Sequence, residues 1–315
     1  MKILVPTTVA LETAMPNGVE VIRYDPNLTL PDDALDASVL VLWGMPMDRL
    51  REAAQRLHSL AFVQLVSAGY EYMARAGFDE SVVVCNGRGL HDRPVAEHAL
   101  ALMLAGARSL HRAHDAQGAR QWDSGLGGIQ PIDAPARFTT LQGARVTIWG
   151  FGSIGRTLAS MLTNLGAEVT GVARTARVDN GIRVVAADSV AAELPSTDVL
   201  VLILPSTVET QKVVDAEVLS RLPSHAWVVN VGRGDAIDHA ALVDALEAGR
   251  LGGAALDVTD PEPLPADAAL WSAPNLILTP HAAGGRPEGV GRLLAENLER
   301  LTAGSPLRNV VHPAR

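Results

Sequence analysis

The strongest indication of the fold lies in residues 145–155, which read Arg145-Val146-Thr147-Ile148-Trp149-Gly150-Phe151-Gly152-Ser153-Ile154-Gly155. Residues 145–149 predict a buried strand, and residues 157–165 predict the helix that follows. Between them lies a GxGxxG pattern. Its first glycine allows a tight turn, its second lets the backbone approach a pyrophosphate, and its third lets the helix pack closely. A glycine-rich turn of another α/β protein is the alternative. The strand–turn–helix context favours a dinucleotide site at the helix N-terminus, formed by Gly150, Gly152, Ser153, Ile154 and Gly155.

Short apolar runs alternate with helical segments on both sides of this motif. Such alternation predicts parallel strands that are covered by helices on both faces. The predicted strands are residues 1–6, 39–43, 62–66, 82–84, 145–149, 168–172, 183–185, 198–204, 227–231, 254–258 and 275–279. Helical spacing covers residues 48–57, 95–110 and 287–301, whereas residues 117–142 are rich in Gly, Pro and polar residues. With 315 residues, the chain is predicted to be α/β, with two doubly wound parallel-sheet domains. One is a Rossmann cofactor domain and the other a smaller, flavodoxin-like domain.

The composition narrows the classes of partner. The formal net charge is −9, which would repel a nucleic-acid backbone, and no Lys/Arg cluster offsets it. No apolar run approaches the roughly 20 residues that a membrane-spanning helix needs. Cys85 is the single cysteine, so no intramolecular disulfide can form, and its apolar neighbours predict a buried, inert thiol. We therefore expect a cytoplasmic protein that binds a small molecule, neither nucleic acid nor membrane.

The end of the first strand after the glycine motif, residues 168–172, indicates which dinucleotide is bound. NAD-binding folds carry an acid about twenty residues after the last glycine, where it holds the ribose hydroxyls. Here the sequence reads Ala173-Arg174-Thr175-Ala176-Arg177, so the acid is absent and two arginines follow. A guanidinium from Arg174 and the hydroxyl of Thr175 suit a 2′-phosphate, which predicts NADP(H) in preference to NAD(H). The alternative is that Arg174 and Arg177 are solvated loop charges.

Three side chains suited to carbonyl reduction follow successive predicted strands. Such a reaction needs a cation to hold the substrate and polarise its carbonyl, an acid to protonate the alkoxide, and a group that keeps the acid charged. Arg233, His281 and Glu262 supply these three groups. Since the carboxyl ends of strands line the ligand crevice in a doubly wound sheet, we expect the three to converge. Taken singly, each could be an ordinary loop residue.

At this point the chain resembles the D-isomer-specific 2-hydroxyacid dehydrogenase family over nearly its whole length. Besides the glycine motif and the segment Val95-Ala96-Glu97-His98-Ala99-Leu100, which looks like the family's interdomain helix, the matching stretches are Asn230-Val231-Gly232-Arg233-Gly234, Leu256-Asp257-Val258-Thr259-Asp260-Pro261-Glu262-Pro263-Leu264 and Thr279-Pro280-His281-Ala282-Ala283-Gly284. Their order and spacing are highly specific.

The resemblance implies a role for each site residue. Arg233 would bind the carboxylate and carbonyl oxygen of a 2-keto acid. His281 would be the general acid/base, and Glu262 its partner, which favours the charged imidazole. Gly232 and Asp257 would lie on the cofactor, Asp257 at the nicotinamide end. Backbone amides near Ser67-Ala68-Gly69 would hold the substrate carboxylate.

The resemblance also implies a discontinuous substrate domain, residues 1–94 and 283–315, around a cofactor domain of residues 95–282. Family members are usually homodimers. A D-2-hydroxy acid would be the product, and the Arg174-Thr175 pair and residues 256–263 look like glyoxylate/hydroxypyruvate reductases.

Several alternatives stay open at this stage. A phosphoglycerate dehydrogenase-like enzyme shares the same site, and a non-catalytic dinucleotide-sensing corepressor shares the same fold. Formate dehydrogenase chemistry is disfavoured, because that branch pairs its histidine with glutamine and this chain has Glu262. His98 and the other histidines are interpreted as packing or surface residues. No His, Cys, Asp and Glu group has metal-ligand spacing, so we expect no metal.

Overall fold

The computed structural model describes residues 1–127 and 137–311, which form two compact units. The smaller unit is Met1–His91 together with the chain from Arg286 onward, and the larger is Asp92–Gly285. The sequence boundaries, after residues 94 and 282, lie close to these divisions. Among the described residues, no helix is both long and apolar enough to cross a membrane.

The smaller unit is a six-stranded sheet in the order β14-β5-β4-β3-β1-β2. All pairs are parallel except β14 with β5. Strands β1 to β5 lie in the order 2-1-3-4-5, which is that of flavodoxin. Helix α1 packs on one face through Leu50, and α7 packs on the other through Leu294. The elements are β1 Lys2–Pro6, β2 Glu20–Tyr24, β3 Val39–Leu42, α1 Met47–Arg56, β4 Phe62–Leu65, β5 Val83–Cys85, α7 Val290–Thr302 and β14 Val310–Val311.

The larger unit is an eight-stranded sheet in the order β13-β12-β11-β10-β6-β7-β9-β8, which contains the Rossmann order. Helices α2 and α4 pack on one face and α5 and α6 on the other. The elements are α2 Asp92–Ala107, α3 Leu110–Gly118, β6 Arg145–Trp149, α4 Ser153–Asn164, β7 Glu168–Ala173, β8 Arg177–Asp179, β9 Ile182–Ala186, β10 Val199–Leu202, α5 Ala216–Arg221, β11 Trp227–Asn230, α6 His239–Glu247, β12 Gly253–Leu256 and β13 Leu276–Leu278.

Five neighbouring strands of the larger unit end in register. Trp149, Leu202, Asn230, Leu256 and Leu278 pair in sequence across the sheet, and each is the last residue of its strand. Parallel strands lie about 4.8 Å apart, so β11 and β13 are separated by roughly 10 Å. Segments that leave these strands therefore emerge along one edge of the sheet.

The sheets match the predicted α/β class, and local differences have physical causes. The predicted helix 95–110 is two helices, because Ser109 adopts a left-handed φ of 50° between α2 and α3. The sequence reading also missed β2, whose charged side chains suit a sheet edge, and β8. The β8–β9 hairpin turns at Asn180-Gly181, both with positive φ, and Asn-Gly is a strong hairpin signal that was available in the sequence.

Candidate active site

The glycine loop after β6 has the geometry that a dinucleotide requires. Gly150 has a φ of 105°, and a Cβ there would lie 2.2 Å from the carbonyl oxygen of Ile203. A Cβ on Gly155 would lie 3.1 Å from the carbonyl oxygen of Gly150, so this glycine allows close packing of α4. By contrast, a Cβ on Gly152 would meet nothing within 4 Å. The first and third glycines are needed by the fold, whereas the second leaves space beside the backbone.

The start of α4 offers hydrogen-bond donors at that space. Gly152 is the N-cap and carries no side chain that could satisfy the first amides, which have no carbonyl partner inside the helix. The Ser153 hydroxyl donates to Asp92 Oδ1 at 2.8 Å, so it is already engaged within the unit. Free amides at a helix N-terminus suit a phosphate. The residues present therefore fit a bound pyrophosphate.

The two arginines beyond β7 have different surroundings. Arg177 donates to the carbonyl of Phe151 at 3.1 Å and pairs with Asp179 at 3.1 Å, so it ties β8 to the glycine loop. The side chains of Arg174 and Thr175 are exposed, and that of Arg174 makes no hydrogen bond or ion pair to the described residues. Of the two arginines, Arg174 is the one whose charge is open to a ligand.

Arg233 follows β11 in a loop that two glycines hold close to its neighbours. A Cβ on Gly232 would lie 2.6 Å from the backbone of Leu204, and one on Gly234 would lie 2.0 Å from that of Thr259. The loop carrying Arg233 thus rests directly on the loop that leads to Glu262. The guanidinium donates to the carbonyl of Gly232 at 2.8 Å, and no carboxylate among the described residues pairs with it.

The pair formed by Glu262 and His281 lies at the same edge. His281 Nδ1 is 2.9 Å from Glu262 Oε2, and Glu262 Oε1 accepts from the amide of Thr259 at 3.1 Å. The side chains of His281 and Glu262 are 50% and 38% exposed. Because a carboxylate only accepts, Nδ1 carries a proton, and Nε2, which makes no hydrogen bond to the described residues, is the nitrogen available to a substrate.

Asp257 holds the loop that carries His281. The carboxylate is 1% exposed and accepts from the hydroxyl of Thr279 at 2.6 Å and the amides of Ala282 and Ala283 at 2.8 and 3.0 Å. Burial by itself would raise the pKa of Asp257, but hydrogen bonds from His98, Thr279 and the two amides outweigh it, so the pKa lies below its ordinary value. Both carboxylate oxygens of Asp257 accept from protein donors, and the contact with the nicotinamide end of the cofactor stays a prediction.

His281 itself has a left-handed φ of 50°, a conformation that costs a non-glycine residue about 1–3 kcal/mol. Its amide donates to the carbonyl of Asp257 at 2.7 Å. Together with the carboxylate contacts, this bond keeps the strained residue in place.

In the smaller unit, the predicted substrate loop follows β4. The carbonyl of Ser67 accepts from the amide of Gly87 at 2.7 Å, and that of Ala68 accepts from Asn86 Nδ2 at 2.7 Å. The Ser67 hydroxyl donates to the carbonyl of Gly69 at 2.8 Å. The carbonyls are used, whereas the amides of these three residues donate no hydrogen bond within the described residues. Beside them lies a cavity of about 330 Å³ lined by Leu42, Trp43, Gly44, Met45, Met47, Leu50, Ser67 and Tyr72.

Neither Cys85 nor His98 is assigned a chemical role from the sequence. Cys85 is buried, as predicted, and burial raises the pKa of its thiol to about 12, which leaves it inert. His98, interpreted from the sequence as a packing or surface residue, is half-buried, and its Nε2 lies 3.0 Å from Thr279 Oγ1 and 3.2 Å from Asp257 Oδ1. Within the described ranges, no cluster of His, Cys, Asp and Glu could hold a metal.

Comparison with known proteins identifies the family. Residues 100–283, more than half of the chain, match the model of the D-isomer specific 2-hydroxyacid dehydrogenase NAD-binding domain. The chain belongs to this family. It is therefore one of a family of oxidoreductases, and its larger unit contains a nicotinamide-dinucleotide-binding domain.

Solved structures and a curated relative agree with this membership. A D-isomer specific 2-hydroxyacid dehydrogenase family protein from Aeromonas salmonicida is 30% identical, with 99% of this chain and 98% of that one covered and a TM-score of 0.83. An NADPH-dependent glyoxylate/hydroxypyruvate reductase from Sinorhizobium meliloti is 29% identical, with 98% and 97% covered and a TM-score of 0.74. D-3-phosphoglycerate dehydrogenase from Archaeoglobus fulgidus is 30% identical over 270 residues, 83% of this chain but only 49% of that relative.

Proposed function

We propose that this dehydrogenase uses NADPH to reduce a small 2-keto acid to the D-2-hydroxy acid, with glyoxylate and hydroxypyruvate as favoured substrates. The observation that carries the proposal is the hydrogen-bonded Glu262–His281 pair at the sheet edge from which Arg233 also emerges, with His281 Nε2 making no hydrogen bond to the described residues. The glycine loop at the same edge suits a dinucleotide. Of its three motif glycines, Gly152 is the one beside which there is open space, and a pyrophosphate can approach the backbone there.

In this reaction the bound nicotinamide would supply a hydride to the keto carbon. The electron pair of the C=O π bond then moves to oxygen, and His281 Nε2–H gives its proton to that oxygen. The guanidinium of Arg233, which pairs with no carboxylate in the described chain, stabilises the negative charge as it develops. Glu262 accepts the Nδ1–H bond and keeps the ring oriented.

For the remaining contacts, we propose that the free amides of Ser67, Ala68 and Gly69 hold the substrate carboxylate. We propose that Arg174 and Thr175 hold the 2′-phosphate of NADPH, because they are exposed and Arg174 is unpaired within the described residues. The S. meliloti relative is described as NADPH-dependent, which supports this preference. The family likeness also favours a homodimer, which light scattering on the purified protein tests.

A replacement of His281 tests the proposal. His281→Asn keeps a residue type that tolerates left-handed φ but removes the acid, so turnover should fall by roughly 10² to 10⁴-fold while the fold persists. His114→Asn, an exposed histidine of α3, is the matched control and should keep normal turnover. NADPH oxidation is followed with each keto acid, and near-normal turnover of His281→Asn would remove His281 from the role.

A phosphoglycerate dehydrogenase-like activity is the second candidate, favoured by the 30% identity to the A. fulgidus enzyme. Including 3-phosphohydroxypyruvate in the same assay separates the two. A protein that binds NADPH but oxidises it with no keto acid would instead support the dinucleotide-sensing alternative.

A further inference from the structure

We infer that His98 is a positioning residue for the proposed acid His281: it completes a hydrogen-bond network through Asp257 and Thr279 that fixes the loop carrying His281. The inference rests on the proposed function for its kinetic part only. His98 lies on α2, 181 residues from Thr279 in the chain, and its side chain is 23% exposed.

The direction of each hydrogen bond follows from the donors available. The carboxylate of Asp257 only accepts hydrogen bonds, so the Thr279 hydroxyl donates its single proton to Oδ1 of Asp257 at 2.6 Å. The lone pairs of that hydroxyl then face Nε2 of His98 at 3.0 Å, and Oδ1 of Asp257 lies 3.2 Å from the same nitrogen. Nε2 of His98 must therefore carry the proton and divide it between two acceptors.

The network reaches His281 through the backbone. The carboxylate of Asp257 accepts from the amides of Ala282 and Ala283, and its carbonyl accepts from the amide of His281. Removing His98 takes away the one N–H that the buried carboxylate and the Thr279 hydroxyl share. Since His281 has a strained φ, a loosened loop is free to relax away from the conformation that places Nδ1 on Glu262.

Amide hydrogen exchange tests this inference without any substrate. His98→Leu removes the donor and keeps an apolar side chain, whereas His98→Gln retains an N–H at about the reach of Nε2. We expect exchange at Ala282 and Ala283 to be roughly tenfold faster in His98→Leu, and close to wild type in His98→Gln. Glu97→Gln, next on the same helix and exposed, is the control and should change nothing there.

Kinetics give the second arm. His98→Leu should lower kcat by on the order of tenfold, because a general acid that is out of position protonates the substrate oxygen more slowly. The KM for NADPH should stay within about twofold, since the glycine loop is untouched. His98→Gln should restore most of kcat. The loss of kcat in the double variant His98→Leu/Thr279→Val should be smaller than the two single losses combined, since both side chains act on the same carboxylate.

Three results would overturn the inference. They are unchanged exchange at Ala282 and Ala283 in His98→Leu, equal acceleration throughout the larger unit, or failure of His98→Gln to restore the loop. If wild-type protein reduces no keto acid, the proposed function fails, and the exchange arm still decides the role of His98.

Discussion

Replacing Asp257 with asparagine tests how the loop that carries His281 is held. The change keeps the shape but leaves one acceptor oxygen. If that oxygen takes the position of Oδ1, the new amide nitrogen faces the N–H of Ala283. Stranding this buried donor costs about 2 kcal/mol, and the remaining bonds, now to a neutral acceptor, lose about 1 kcal/mol more. The free energy of unfolding should therefore fall by about 3 kcal/mol.

For a unit of this size, about 3 kcal/mol lowers Tm by roughly 6–12 °C, measured by calorimetry at pH 7. The pH dependence gives a second signature. Because the pKa of Asp257 is lowered from its ordinary 3.8, its stabilisation is complete above that value and is lost as the pH falls through the lowered pKa. The difference in Tm between the wild type and the Asp257→Asn variant should therefore narrow only below about pH 4. Asp188→Asn, on an exposed residue, is the control. Equal Tm values at pH 7, or a Tm difference that widens in acid, would show that the Asp257 carboxylate does not hold this loop.

Three further predictions concern the cofactor and substrate contacts. Gly152→Ala should fold with unchanged Tm, since its Cβ meets nothing within 4 Å, but raise the KM for NADPH at least about tenfold by filling the pyrophosphate space; an unchanged KM contradicts this. Arg174→Asp should weaken NADPH binding far more than NADH binding in a fluorescence titration, and equal losses would count against the 2′-phosphate contact. Arg233→Gln should lower kcat/KM for the keto acid by roughly 10² to 10³-fold in steady-state assays, and a loss below about threefold would exclude it from charge stabilisation.

The sequence was sufficient for the elements that depend on local pattern. The strand–turn–helix around Gly150 and the strand before Arg233 are predictable because burial and glycine freedom leave their mark within a few residues. The adjacency of Glu262 and His281 was expected because both follow neighbouring parallel strands, and their 2.9 Å contact agrees with that expectation.

The remaining features depend on contacts between distant segments. Nothing near His98 indicates that it meets Thr279, because helix packing brings them together. Asp257 follows a buried strand, and from sequence it could as well face a ligand as the amides of Ala282 and Ala283. The break at Ser109 was missed because apolar spacing continues across it to Leu110.

The most direct test of the central claim is the chirality of the product. Purified protein is incubated with NADPH and hydroxypyruvate, phenylpyruvate or 3-phosphohydroxypyruvate, and the hydroxy acid is resolved by chiral chromatography. We predict a D-hydroxy acid formed in equal amount to the NADPH consumed. An L-hydroxy acid, or no NADPH consumption with these three acids or glyoxylate, would contradict it.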